Sequence, residues 1–184
     1  AVNGMNTDIG LKRNGYLFIV PRSERDVLKR NYVSQLKLGC NVKWMEPEEI
    51  NHQFPSMNIT DLGAAVYSPD DGWLDPYSVL MGFRHKAITM GVDFLKDEIT
   101  GFVWQNSMVT TANLMSGQDI DACIFINAAG AWAKDICTML NVVVPIEPMR
   151  RFEHYFECQE SIEPLPYIKD PKRLAFRPEG QGYT

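Results

Sequence analysis

Ala122-Cys123-Ile124-Phe125-Ile126-Asn127-Ala128-Ala129-Gly130-Ala131-Trp132-Ala133 is the stretch on which the fold turns. Its first five residues are apolar, too few to cross a bilayer, and fit a strand buried on both faces of a mainly parallel sheet. Ala128-Ala129-Gly130 then holds every side chain to a methyl or less, so another surface can come close to the backbone. A helix is expected next, because Trp132, Ile136, Met139 and Leu140 recur at i, i+4, i+7 and i+8 and would lay an apolar stripe on the sheet. A strand feeding a helix through small residues offers backbone N–H groups beside the positive end of the helix dipole, where an α/β protein can hold a ligand. The same turn also serves as a plain β-to-α connection that binds nothing, and both readings stand on this stretch alone.

Outward from that stretch, the pattern predicts an alternation of strands and helices. Gly15 to Val20 reads as a strand closed by Pro21. Ser23 is a candidate N-cap for a helix from Glu24 to Leu38, with Leu28, Tyr32 and Leu36 on one face and Gly39 as its stop. Val42 to Met45 is a short strand, and Pro47 opens a brief helix whose apolar side is Ile50 and Phe54. Ala64 to Tyr67 is the next strand. Asp75-Pro76 then caps a helix with a buried stripe of Leu80, Phe83, Ala87 and Met90, Met81 and Met90 acting as core filler. Strands follow at 92–95, 99–104 and 108–112, with Gly117 in a hairpin-type connection before the Ala122 strand. Val142 to Val144 and a two-proline segment lead to an alternating strand from Phe152 to Cys158, a proline-rich loop over 159–171, and a last strand from Leu174 to Arg177. Residues 1–14 read as a loop entering the fold.

With 184 residues and 45% hydrophobic content, the chain can build a substantial core. Its 18 basic and 23 acidic residues give a net charge of -5, so no nucleic-acid partner is expected. No run approaches the roughly 20 apolar residues of a membrane span. Cys40, Cys123, Cys137 and Cys158 form no Cys-x-x-Cys pair and are expected to be buried free thiols in a reducing compartment. Asp70, Asp71 and Asp75 lack the alternating ligands and closing glutamate of a calcium loop, so a turn and a cap account for them. His52, His85 and His154 are too scattered for a metal site.

Four segments in order carry a family resemblance: Pro69-Asp70-Asp71-Gly72-Trp73-Leu74-Asp75-Pro76-Tyr77, Ile124 to Trp132, Pro145 to Phe152, and Phe176-Arg177-Pro178-Glu179-Gly180. Together they resemble the FAD-dependent oxidoreductases of the D-amino acid oxidase superfamily, which includes glycine oxidase, sarcosine oxidase, dimethylglycine dehydrogenase and the FAD-dependent oxidoreductase domain-containing proteins. The resemblance runs from about Gly15 to the last residue. It implies an α+β / α/β fragment of a two-domain flavoprotein, with an antiparallel-sheet substrate domain and an interleaved part of the FAD-binding domain. The implied division is 1–90 and 142–184 for the substrate domain and 91–141 for the FAD domain. The first strand, the Gly-x-Gly-x-x-Gly turn and the ribose acid of a dinucleotide domain are not in the sequence, so the chain is expected to be the middle of a longer protein, inactive alone.

The resemblance implies FAD as cofactor, and oxidation of the C–N bond of an amine or small N-methyl amino acid by hydride transfer to the flavin, with oxygen or an electron carrier as acceptor. The alternative is a flavoprotein-like assembly or scaffolding factor of the respiratory-complex type, with little or no turnover. A bacterial cytoplasm or the mitochondrial matrix is the implied location. Cofactor contacts fall on Ala128, Ala129, Gly130 and Trp132, and on the main chain of Ile99 near the adenine; an ordinary core isoleucine is the other account of Ile99. A substrate carboxylate calls for a cationic clamp, which Arg177 or Arg150 would supply unless each is a structural ion pair. His154 would face the flavin, or be a satisfied core residue. Met149 stands where several small amine oxidases carry an aromatic hydroxyl, which argues against a sarcosine-like or glycine-like substrate.

Overall fold

A computed structural model describes residues 8–170 and 174–184. They divide into two compact units, one of residues up to 90 with 153–184 and the other of residues 91–152. In the larger unit the elements run β1 (Tyr16–Pro21), α1 (Arg25–Lys37), β2 (Lys43–Met45), α2 (Pro47–Gln53), β3 (Leu62–Ser68) and α3 (Pro76–Thr89). After the break β7 (Tyr167–Lys169), β8 (Ala175–Phe176), β9 (Pro178–Glu179) and β10 (Gly182–Tyr183) complete it. The smaller unit holds β4 (Ile99–Gln105), β5 (Met108–Leu114), β6 (Asp119–Asp121) and α4 (Ala133–Met139).

Five strands of the larger unit form one sheet in the order β2-β3-β1-β7-β8, in which only β1 and β7 run parallel. Period-two alternation divides its side chains between two cores. Ile19, Ala65 and Met45 lie in one row and Leu17 and Ile168 in another, all buried against Ile50 of α2, Phe54 just past its end, Leu165 and Tyr183. The other face buries Val20, Ala64 and Val66 against Leu28 of α1 and Val42.

Helix α2 begins as its sequence requires. Pro47 takes the first turn, Glu46 accepts the N–H of Glu49, and Glu49 takes the N–H of Glu46 at 2.8 Å. Asp75 caps α3 by accepting from the N–H groups of Tyr77 and Ser78 at 3.2 and 3.1 Å. At the start of α1 the expectation fails: Ser23 lies in a 3-10 turn, Arg22–Glu24, the helix begins at Arg25, and no side chain caps it.

Several strands and stripes predicted as buried are not. Residues 122–126 form no strand: the Ala122 N–H donates to the Thr110 carbonyl at 3.1 Å, but no ladder continues through 123–126 among the described residues, and Ile124 and Ile126 are 77% and 86% exposed. The stripe of α3 faces no packed neighbour: Leu80 is 62% and Met90 72% exposed, and only Gly82 is buried. Periodicity fixes that helix without supplying a surface to cover it. Trp132 and Met139 are exposed too, so the stripe of α4 is not a core. Residues 92–95 carry no strand, and 152–158 reduces to one bridge, Phe156 to Tyr183. Cys40, Cys123 and Cys158 are exposed and Cys137 half-buried, all four as free thiols, which corrects their expected burial. The loop expected over 159–171 contains β7 instead; Pro171 and residues 1–7 of the expected entry loop lie outside the described residues.

Candidate ligand site on the sheet face

The outer face of β1, β7 and the chain after β8 gathers a set of aromatic and cationic side chains. Tyr16 pairs with Tyr167 across the parallel ladder, with ring centroids 4.7 Å apart. Ile168 pairs with Phe176, so the next position sets Arg177 opposite Tyr167 on the face away from the Leu17 and Ile168 core. Lys169, two residues along, returns to that face: its ammonium lies 3.9 Å from the Tyr167 ring centroid and donates to the Tyr167 hydroxyl at 2.8 Å. The Arg177 backbone exchanges both hydrogen bonds with Thr184, at 2.9 and 3.0 Å, and its guanidinium pairs with Glu179.

Trp73 completes the group from the turn 69–75. Its backbone is stapled to Lys12 by two hydrogen bonds of 2.8 and 3.1 Å, while Gly15 N–H donates to Asp71 and Asp75 N–H to Ile9, each at 2.9 Å. Gly72 must be glycine because a Cβ there would strike the Lys12 carbonyl. So held, the indole meets Tyr167 edge-on at 6.5 Å, and the Arg177 guanidinium carbon stands 5.8 Å from its centroid. The groups feel one another: burial pushes the Tyr16 phenol up, Tyr167 and Asp71 push the same way, and Lys169 and Arg177 oppose them.

Beside this cluster a cavity of about 450 Å³ opens between α1 and the sheet, floored by Phe18, Val20, Val27 and Leu28, with Asn31, Lys169 and the acids Glu24 and Asp170 on its wall. The opposite face carries a cavity of about 540 Å³ lined by Met57, Phe156, Leu165 and Phe176 among others, in which the one charged residue is Glu160.

In the smaller unit the Ala128-Ala129-Gly130 turn is built by Asn127, which accepts from the N–H of Ala129 at 3.1 Å and donates to the carbonyl of Ala133 at 2.9 Å. Gly130 adopts φ +57° with nothing within 4 Å of the place a Cβ would take, so the turn is open. The N–H groups of Gly130 and Ala131 precede the first bond of the helical turn, from Trp132 N–H to the Ala129 carbonyl at 3.1 Å. Open glycine geometry, leading N–H groups and the exposed Trp132 ring suit the phosphate and flat ring systems of a dinucleotide. Ile99 opens β4, half-buried, paired with Leu114. Arg150 is exposed in an irregular segment of the same unit, and His154 is exposed in the other. Arg177 is thus the one predicted substrate residue found in a built cluster, and Tyr16, Trp73, Tyr167 and Lys169 are partners that sequence reading missed. The signal for Tyr167 and Lys169 was the alternation Tyr-Ile-Lys, hidden in a proline-rich segment.

The FAD dependent oxidoreductase family model matches residues 2–184, and the chain belongs to that family, whose cofactor is FAD. FAD-dependent oxidoreductase domain-containing protein 1 from Bos taurus is 29% identical over 95% of this chain and 42% of its own length. Human mitochondrial sarcosine dehydrogenase is 29% identical over 91% of this chain and 19% of its own. Among solved structures, L-proline dehydrogenase from P. horikoshii superposes with a TM-score of 0.79 at 28% identity, covering 95% of this chain and 48% of that one. Glycine oxidase from Geobacillus kaustophilus has a TM-score of 0.76 at 19% identity over 96% and 48%, a likeness of fold. These matches make the chain an α+β part of a two-domain flavoprotein fold, less than half the length of the relatives named here. No helix among the described residues is long and apolar enough to cross a membrane.

Proposed function

We propose that this chain supplies the substrate-side sheet, residues 1–90 and 142–184, and an interleaved part of the FAD domain, residues 91–141, of an oxidoreductase acting on the C–N bond of an amine or small N-methyl amino acid. FAD, when bound, would supply the electron chemistry as acceptor of a hydride equivalent from the carbon that bears nitrogen. The chain's own part is to hold and orient the substrate. Arg177 is the carboxylate clamp: Glu179 engages one end of its guanidinium, and the remaining N–H donors present a planar fork to a second carboxylate. Tyr16 and Tyr167 wall the site with aromatic faces that exclude water, and Lys169 adds positive charge beside them. Ala128, Ala129, Gly130 and Trp132 contact the cofactor through backbone N–H groups and the exposed indole, and Ile99 through its main chain. Arg150 and His154 line the substrate side as exposed residues recruited in the whole protein.

The observation that carries this reading is Arg177 on one sheet face with Tyr16, Tyr167 and Lys169, in a chain of an FAD-dependent family. The sarcosine and proline dehydrogenases among its relatives support a small secondary amino acid as substrate. The mitochondrial relatives support the matrix as location, with a bacterial cytoplasm the alternative, and oxygen or an electron carrier would be the final acceptor. The chain alone is inactive. In the FAD-loaded protein, Arg177→Met raises KM for amino acid substrates about a hundredfold while amines without a carboxylate react as before. Equal KM values in wild type and variant would refute the clamp.

A further inference from the structure

Helix α1 covers only part of the sheet face on which it lies. Val20, Ala64 and Val66 are buried there with Leu28, yet Phe18 of the central strand, which pairs with Val66 on one side and Lys169 on the other, is left 37% exposed. Val27 of α1 is 48% exposed. Both side chains border the cavity of about 450 Å³, while Val20 and Leu28, fixed in the packed core, give it a rigid floor. Apolar side chains gathered around a concavity are surface that the apolar part of a ligand can cover. Lys169 belongs both to this cavity and to the Arg177 cluster: its side chain lines the one, and its ammonium lies over the Tyr167 ring of the other. Glu24 and Asp170 place carboxylates on the cavity wall, and Lys169 already donates to the Tyr167 hydroxyl, so a ligand carboxylate entering here would meet like charge.

We propose that this cavity receives the side chain of the substrate amino acid, so that the protein prefers N-methyl amino acids with a branched or aromatic apolar side chain to sarcosine. This rests on the reading of Arg177 as the carboxylate clamp. Arg177 stands opposite Tyr167, and Lys169 follows Tyr167 by two positions on the same face of β7, a distance of roughly 7 Å that a leucine- or phenylalanine-sized side chain covers and a hydrogen or methyl does not. The sheet face then divides the substrate: the carboxylate goes to the cationic end at Arg177, and the apolar group to Phe18, Val20, Val27 and Leu28. Acidic side chains are turned away by Glu24 and Asp170.

The test is kcat/KM of the FAD-loaded full-length protein across sarcosine, N-methylalanine, N-methylleucine, N-methylphenylalanine and N-methylglutamate. In wild type it rises on the order of a hundredfold from sarcosine to N-methylleucine, about fourfold for each added methylene, and N-methylglutamate falls at least about tenfold below N-methylleucine. Val27→Trp grows from a half-exposed position of α1 into the cavity and lowers N-methylleucine at least about thirtyfold more than sarcosine. A flat wild-type series, or equal losses for both substrates in Val27→Trp, overturns the proposal; if that variant does not fold, the wild-type series decides alone. Arg177→Met separates the claims. A raised KM for every member beside a flat series keeps the clamp and removes only the side-chain cavity, whereas unaltered KM values there remove the clamp and this proposal with it. No turnover of any member removes the oxidoreductase reading and both claims that rest on it.

Discussion

Glu46 shows how one carboxylate ties three elements together. Its oxygens take both terminal nitrogens of Arg25, at 2.5 and 2.6 Å, and the Trp44 indole N–H at 2.8 Å, while Arg25 also donates to the Gly63 carbonyl at 2.7 Å. The Arg25 bonds, then that from Trp44, hold the carboxyl at a pKa of about 2. A carboxyl lowered on folding stabilises the fold above its unfolded pKa, roughly 4.3, and that contribution fades as pH falls toward 2. Urea titrations should therefore find Glu46→Gln less stable than wild type at pH 7 and equal to it near pH 2; a gap that persists at pH 2 would contradict this role. Gly72 makes the complementary point about space. Gly72→Ala drives a methyl into the Lys12 carbonyl and should cost about 1–3 kcal/mol, the usual size of an overpacking defect, measurable by the same titration.

Elements were legible in the sequence where local chemistry decides them. The Pro47 and Asp75-Pro76 starts and the strands β1, β3, β4 and β5 fall where caps, alternation and turns placed them, to within a few residues. Burial was less legible, because it depends on what lies opposite. Ile50 and Leu80 look alike as stripe residues, yet Ile50 is fully buried beneath the sheet and Leu80 is exposed. Ile50→Ala should accordingly cost about 2–5 kcal/mol in unfolding titrations, and Leu80→Ala in this chain less than about 0.5. The candidate site was half legible. Arg177 stood in a segment with a family resemblance, but Tyr16, Trp73 and Tyr167 meet it only through the parallel β1–β7 register and the Lys12 bridge, contacts that span more than 100 residues of sequence in the case of Tyr16 and Tyr167. A three-residue strand between prolines gives periodicity too little length to register.

On the scale of the whole chain, the two units differ in how much core they own. Ala112 is the one buried hydrophobic side chain in residues 91–152, whereas the larger unit has two packed clusters on its sheet. Hydrogen exchange on this chain should show β1 and β3 amides at least about tenfold slower than those of β4 to β6. The strand predicted over 122–126 belongs to the same account: it is apolar sequence awaiting neighbours that the described residues do not provide. The most direct test of the central claim is the visible spectrum of the FAD-loaded protein, followed without oxygen as primary and N-methyl amino acids are added. Bleaching of the flavin band near ~450 nm by a secondary amino acid, lost in Arg177→Met, is the predicted result. A bound flavin that no amine or amino acid bleaches would contradict the oxidoreductase reading and favour a scaffolding role.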